Sequence, residues 1–116
     1  MVEFANRVKV STSTTGTGTV SLGSALPGFQ TFAAGGITNG KTVRYTIEDG
    51  VSFEIGTGTF TSSGNTMARS VEESSNSNNA LNLTGSATVF ITAAAADLGG
   101  GGGVTNGTAN FLASSY

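Results

Sequence analysis

The stretch Thr42-Val43-Arg44-Tyr45-Thr46-Ile47-Glu48 constrains this chain more than any other. Successive side chains of a β-strand point to opposite faces. Val43, Tyr45 and Ile47 therefore share one face, and Thr42, Arg44, Thr46 and Glu48 share the other. Asp49-Gly50 follows, a dipeptide that tight hairpin turns favour. Beyond it Ser52-Phe53-Glu54-Ile55 alternates again, with Phe53 and Ile55 expected inward. A hairpin over 42–55 is predicted.

The same period recurs along the chain. Arg7 to Ser11, Thr19 to Leu22, Phe29 to Phe32, Thr66 to Val71, Leu81 to Leu83 and Ser86 to Thr92 all read as short strands. Gly56-Thr57-Gly58-Thr59-Phe60 prolongs the second hairpin strand, with glycines that favour bulges. Turns or loops separate them: Thr15 to Thr19, Gly23 to Gly28 around Pro27, Asn39-Gly40, Ser62 to Asn65, and the wholly polar run Glu72 to Asn79. Glycine, serine and threonine supply 50 of 116 residues, a composition that suits strands and turns over helices. Helical propensity is confined to Ala93 to Leu98, where the glycines from Gly99 onward stop it. Gly16-Thr17-Gly18-Thr19 recurs as Gly56-Thr57-Gly58-Thr59, too faint an echo in such a chain to infer duplication.

The expectation is one all-β domain of seven or eight short strands: a compact β-sandwich, jelly-roll-like fold or small barrel. It divides into an N-terminal arm (1–6), the β domain (7–98) and a Gly-rich C-terminal tether and tail (99–116). The five glycines Gly99 to Gly103 are expected to be a flexible tether.

Charge narrows the function. The net charge is −2 and only 10% of residues are charged, so the polyanionic backbone of nucleic acid is not an expected partner. The first residues lack an apolar h-region, and no signal peptide is expected. Ala87 to Leu98 is interrupted by Thr88, Thr92 and Asp97 and is too short for a bilayer, so no membrane insertion is expected. Asn82-Leu83-Thr84 and Asn106-Gly107-Thr108 match the glycosylation pattern and, with no secretory signal, are read as chance.

The chemical inventory is thin. The chain has no histidine and no cysteine, which removes the commonest general base, the thiolate nucleophile and disulfides. No cofactor and no enzymatic activity are expected. A glycosidase needs two carboxylates across a cleft. Glu48 and Glu54 flank the predicted turn, and the simpler reading makes them a solvent-facing pair near Arg44. Glu48-Asp49-Gly50 is explained by turn chemistry and falls short of a calcium loop. What remains are apolar residues near the termini, Val2, Phe4, Phe111, Leu112 and Tyr116, which are expected to anchor the arms on another protein.

Asn6-Arg7-Val8-Lys9-Val10, Gly16-Thr17-Gly18-Thr19 and Gly28-Phe29-Gln30-Thr31-Phe32 form an ordered set of motifs. It continues with Tyr45-x-Ile47-Glu48-Asp49-Gly50 and Phe53-Glu54-Ile55-Gly56-Thr57-Gly58-Thr59. Arg69-Ser70-Val71, Ser74-Ser75 and Val89-Phe90-Ile91-Thr92 complete it. Over residues 6–93 this order and spacing resembles a small β-rich structural module of tailed-bacteriophage virion proteins, including those of cyanobacterial phages. The resemblance implies a virion location, on the capsid surface or the tail. Because the module stands almost alone here, it implies first a capsid decoration or cement protein that docks on the major capsid protein and stabilises the shell. The alternative is a tail- or fibre-associated adaptor. Partners implied are other virion proteins and further copies of this chain, a trimer among the options. A host glycan is a further candidate, met by Tyr45 or by the loop Asn76 to Asn79.

Overall fold

A computed structural model describes residues 2–99. The strands are β1 (Lys9–Thr12), β2 (Thr15–Gly16), β3 (Val20–Ser21), β4 (Thr42–Asp49), β5 (Ser52–Thr61), β6 (Thr66–Ser74), β7 (Leu83–Thr84) and β8 (Ala87–Ile91). One helical turn, α1 (Ala95–Gly99), follows. Six strands form one sheet in the order β1-β8-β4-β5-β6-β3, and β2 pairs with β7 in a small second sheet. Every pair of strands in these two sheets is antiparallel.

The predicted hairpin is present, with one correction. The loop residues are Gly50 and Val51, because Asp49 pairs with Ser52. Gly50 has φ +65°, as a turn with glycine at its first central position requires. A two-residue loop pairs odd-numbered residues of β4 with even-numbered residues of β5. Tyr45 therefore faces Gly56, and Ile47 faces Glu54. Directly paired residues share a face, so Glu54, Gly56, Gly58 and Phe60 point inward and are buried. Phe53 and Ile55, expected inward, lie half-buried on the outer face.

The sheet curls until its edges nearly meet. Beyond β3 the chain runs on as an extension alongside β1: Gly23 N–H donates to Ser11 O, Ser11 N–H to Ser24 O, and Leu26 N–H to Lys9 O. Side chains add to the seam, with Thr12 Oγ1 donating to Ser21 O at 2.6 Å and Ser21 N–H donating to Thr14 Oγ1 at 2.8 Å. The result is an all-β, nearly closed barrel with few exposed edges. Its interior is filled by Val8, Val10, Val20, Leu22, Phe32, Ile37, Val43, Tyr45, Ile47, Phe60, Met67, Leu81, Leu83, Ala87, Val89 and Ile91.

Two further expectations are corrected. Phe29 to Phe32 is not a strand: Gln30 makes a lone bridge to Val8, and the chain then turns, with Gly35 N–H donating to Thr31 O. Phe32 owes its burial to packing on the Phe60 ring, with centroids 5.6 Å apart, rather than to strand pairing. The polar loop expected from Glu72 starts later, since β6 continues to Ser74. A bulge opposite Ile55 and Gly56 carries β6 over this stretch and turns the buried Ser74 inward, opposite Glu54. The loop then closes on Ser74 itself, whose hydroxyl donates to Asn79 O and whose N–H donates to Asn78 Oδ1.

Candidate functional site

Of the twelve charged side chains, seven fall into three groups.

The first is sealed in the barrel. Glu54 is fully buried. Its Oε2 accepts from the Tyr45 hydroxyl at 2.6 Å and from Arg69 Nε at 3.0 Å. Its Oε1 accepts from Arg69 Nη2 and from Leu81 N–H. Arg69 uses its remaining N–H groups on the carbonyls of Gly16, Gly18 and Leu81. All five guanidinium donors and both carboxylate oxygens are thus engaged. Gly56 makes the room: a Cβ there would lie 2.2 Å from Ser70 O and 2.8 Å from the Tyr45 hydroxyl. Burial pushes the Glu54 carboxyl up, but the hydrogen bonds from Arg69, Tyr45 and Leu81 outweigh it and hold it below its ordinary value. Burial, with Glu54 alongside, raises the Tyr45 phenol, which stays a protonated donor. This network has no substrate access. Its geometry pins the Gly16–Gly18 turn and the Leu81 segment over one end of the barrel.

Two expectations fall here. Glu48 and Glu54 are not a solvent-facing pair near Arg44, because the two-residue loop puts them on opposite faces of the sheet. Tyr45 cannot offer its ring to a glycan, because it is fully buried.

The second group is on the outer face. Arg44, 5% exposed, grips Asp97 with Nε and Nη2 at 2.9 and 3.0 Å, and Nη1 donates to Glu72 at 2.8 Å. Asp97 also accepts from Ala94 N–H at 2.8 Å, so one carboxylate both caps the start of α1 and ties it to β4. The Arg44 guanidinium and that N–H hold the Asp97 carboxyl below its ordinary value.

The third group is open. Arg7 lies 4.0 Å over the Phe29 ring, and the Lys9 ammonium sits 5.5 Å from Phe29 and 5.2 Å from Phe90. Arg7 has φ +56°, a left-handed conformation that non-glycine residues rarely adopt. Its Nε and Nη2 both donate to Gly28 O, which fixes the guanidinium. Among the described residues neither cation has a carboxylate partner. With Val8, Ile91 and Thr92 they line a cleft of about 310 Å³. A second cleft, of about 300 Å³, is lined by Asp49, Ser52, Ser75, Asn76, Leu81, Asn82 and Thr84. Asp49 is held in its wall by Thr84, whose N–H and hydroxyl donate to it at 2.8 and 2.9 Å. That engagement accounts for the acidic turn without a metal.

The expected terminal anchors are placed in part. Glu3 N–H donates to Thr42 O at 2.7 Å and forms a parallel bridge with Val43, so the N-terminal arm lies along β4 beyond the end of β8. Val2 is half-buried and Phe4 exposed. Phe111, Leu112 and Tyr116 lie outside the described residues. The cation–aromatic cleft was missed in the sequence: Lys9 alternates with Val8 and Val10 as expected, but Arg7 precedes β1 in a left-handed turn and meets Phe29 from there.

No protein-family model, no curated protein and no solved structure matches the chain.

Proposed function

We propose that this protein is a non-catalytic structural component of a tailed-bacteriophage virion, a decoration or cement protein that docks on the capsid surface and stabilises it. One observation carries the docking part. The two ends of the described chain are fastened to neighbouring residues of one strand, Glu3 to Thr42 and Asp97 to Arg44. Next to Glu3 and Asp97 in the chain stand Phe4 and Leu98, two of the three large apolar side chains exposed among the described residues. The two described ends thus lie beside the start of β4, and we take Phe4 and Leu98 as the apolar contacts they offer to a partner. On a lattice, many copies of a modest contact add up through effective concentration. The virion part rests on the resemblance of the ordered motifs over residues 6–93.

The test is the copy number of the chain in purified virions relative to the major capsid protein. A ratio near one supports decoration. A ratio of a few per cent points instead to a tail- or fibre-associated adaptor, and absence from the particle overturns the reading. Changing Phe4 and Leu98 to Ser is expected to reduce incorporation at least tenfold with the fold intact.

A second reading has its own observation. The cleft beside Asn76 and Asn82 presents amides, hydroxyls and a fixed carboxylate, the groups that bind sugar hydroxyls. In that reading the protein attaches the particle to a host glycan. Glycan-array binding lost on Asn76→Ala and Asn82→Ala supports it, and an array with no signal overturns it.

A further inference from the structure

The cation–aromatic cleft and the β4–β5 turn have complementary chemistry. The turn ends in Val51, whose side chain is wholly exposed at 102%. Beside it is Glu48, an exposed carboxylate that enters no ion pair among the described residues. The tip is therefore an apolar knob with a negative charge beside it. The cleft is the converse: a concavity of about 310 Å³ with two half-buried aromatic rings and two cations that have no carboxylate partner among the described residues. Arg7 Nη1 makes no hydrogen bond among the described residues and is free to donate. Arg69, by contrast, spends all five of its donors on Glu54 and three carbonyls.

Val51 cannot reach the cleft of its own chain. It lies in the loop beyond Asp49, whereas the cleft is bordered by Phe90, Ile91 and Thr92 at the end of β8. At about 3.3 Å per residue Val51 is roughly 15 Å from the level of Phe90, and Glu48, paired with Thr88, is about 7 Å from it along the strands. We infer that the cleft formed by Arg7, Lys9, Phe29 and Phe90 receives the β4–β5 turn of a second copy of this chain. Val51 enters between the aromatic rings, and Glu48 pairs with Arg7 and Lys9. A contact between unlike surfaces on identical molecules is heterologous, so it propagates head to tail and ends as a closed ring or a filament. The inference concerns self-association alone and does not depend on the virion reading.

The experiment is light scattering after size-exclusion chromatography on the full chain across a hundredfold range of concentration. Expected is a mass that rises to a fixed multiple of the protomer for a ring, or grows continuously for a filament. Both species are expected to dissociate in high salt, since the charges are solvent-accessible. Val51→Lys removes the knob and Lys9→Glu inverts the cleft. Val51 is fully exposed, so its replacement leaves the fold intact. Each variant alone is expected to be monomeric, at least tenfold weaker in association. An equimolar mixture retains one intact contact, the cleft of the Val51→Lys chain with the turn of the Lys9→Glu chain. It is expected to give a 1:1 heterodimer and nothing larger. A wild-type chain that stays monomeric at every concentration, or variants that associate as the wild type does, overturns the inference.

Discussion

At the scale of single residues, the buried pair of Glu54 and Arg69 is sensitive to the loss of either partner. Breaking a buried ion pair leaves the remaining charge unpaired, which costs about 3–5 kcal/mol. Arg69→Ala is expected to destabilise the protein by that amount, read by urea unfolding. It also frees the carbonyls of Gly16, Gly18 and Leu81, so faster amide exchange in these two segments is expected alongside. The pH dependence follows from the same carboxylate. Its value in the folded state lies below the ordinary 4.5. The stability it contributes is therefore fully present above about pH 4.5 and is lost as the pH falls through the lower folded value. Unfolding free energies measured from neutral pH into acid are expected to be flat and then to fall. In Glu54→Gln the acid decline becomes shallower, with the remainder carried by Asp97, which is also held low. A decline of unchanged steepness in Glu54→Gln shows that other carboxylates dominate.

At the scale of elements, the length of one turn sets what lies inside. A two-residue loop over Gly50-Val51 pairs odd with even residues across β4 and β5. That parity puts Glu54 in the core and Phe53 outside, against hydrophobicity read from β5 alone. The arithmetic was available from the sequence once a tight turn was assumed. What hid it was the apolar character of Phe53 and Ile55, which pair on the outer face with Glu48 and Thr46. Gly56 is the element-level counterpart of this choice. Its Cβ-free backbone allows the Tyr45 hydroxyl to cross the sheet toward Glu54. Gly56→Ala is expected to cost about 1–3 kcal/mol, as overpacking does, and to perturb the Tyr45 and Arg69 resonances in an NMR spectrum more than those of β1. α1 depends on a side chain from elsewhere. Five residues do not make a stable isolated helix, and α1 is held by Asp97 on Arg44. Arg44→Ala is expected to raise proteolytic cleavage around 95–99 severalfold while the barrel stays folded.

At the scale of the whole molecule, the ion pair of Glu54 with Arg69 is sealed inside the barrel, while that of Arg44 with Asp97 and Glu72 lies on its outer face. Amide exchange is expected to be slowest in β4, β5, β6 and β8, which lie between other strands, and fastest in β3 and in the β2–β7 pair, which are only two residues long. The all-β class, the β4–β5 hairpin and the positions of the long strands were legible in the sequence. Period-two alternation and turn residues act locally and need no knowledge of the rest of the chain. The partners of Arg44 and Arg69 were not legible, nor was the closure of the β3 extension onto β1. Arg69 meets Gly16 and Glu54 from 53 and 15 residues away, and Arg44 meets Asp97 from 53. The approach of the Val8 edge to Phe29 and Phe90, which creates the cleft, was equally hidden. Such meetings follow from how far the sheet twists and where its edges come together, so only the tertiary structure decides them. Local patterning sets which residues are extended and which turn; the curl of the sheet decides that Glu54 and Arg69 are buried together and that Arg7 and Lys9 meet Phe29 and Phe90.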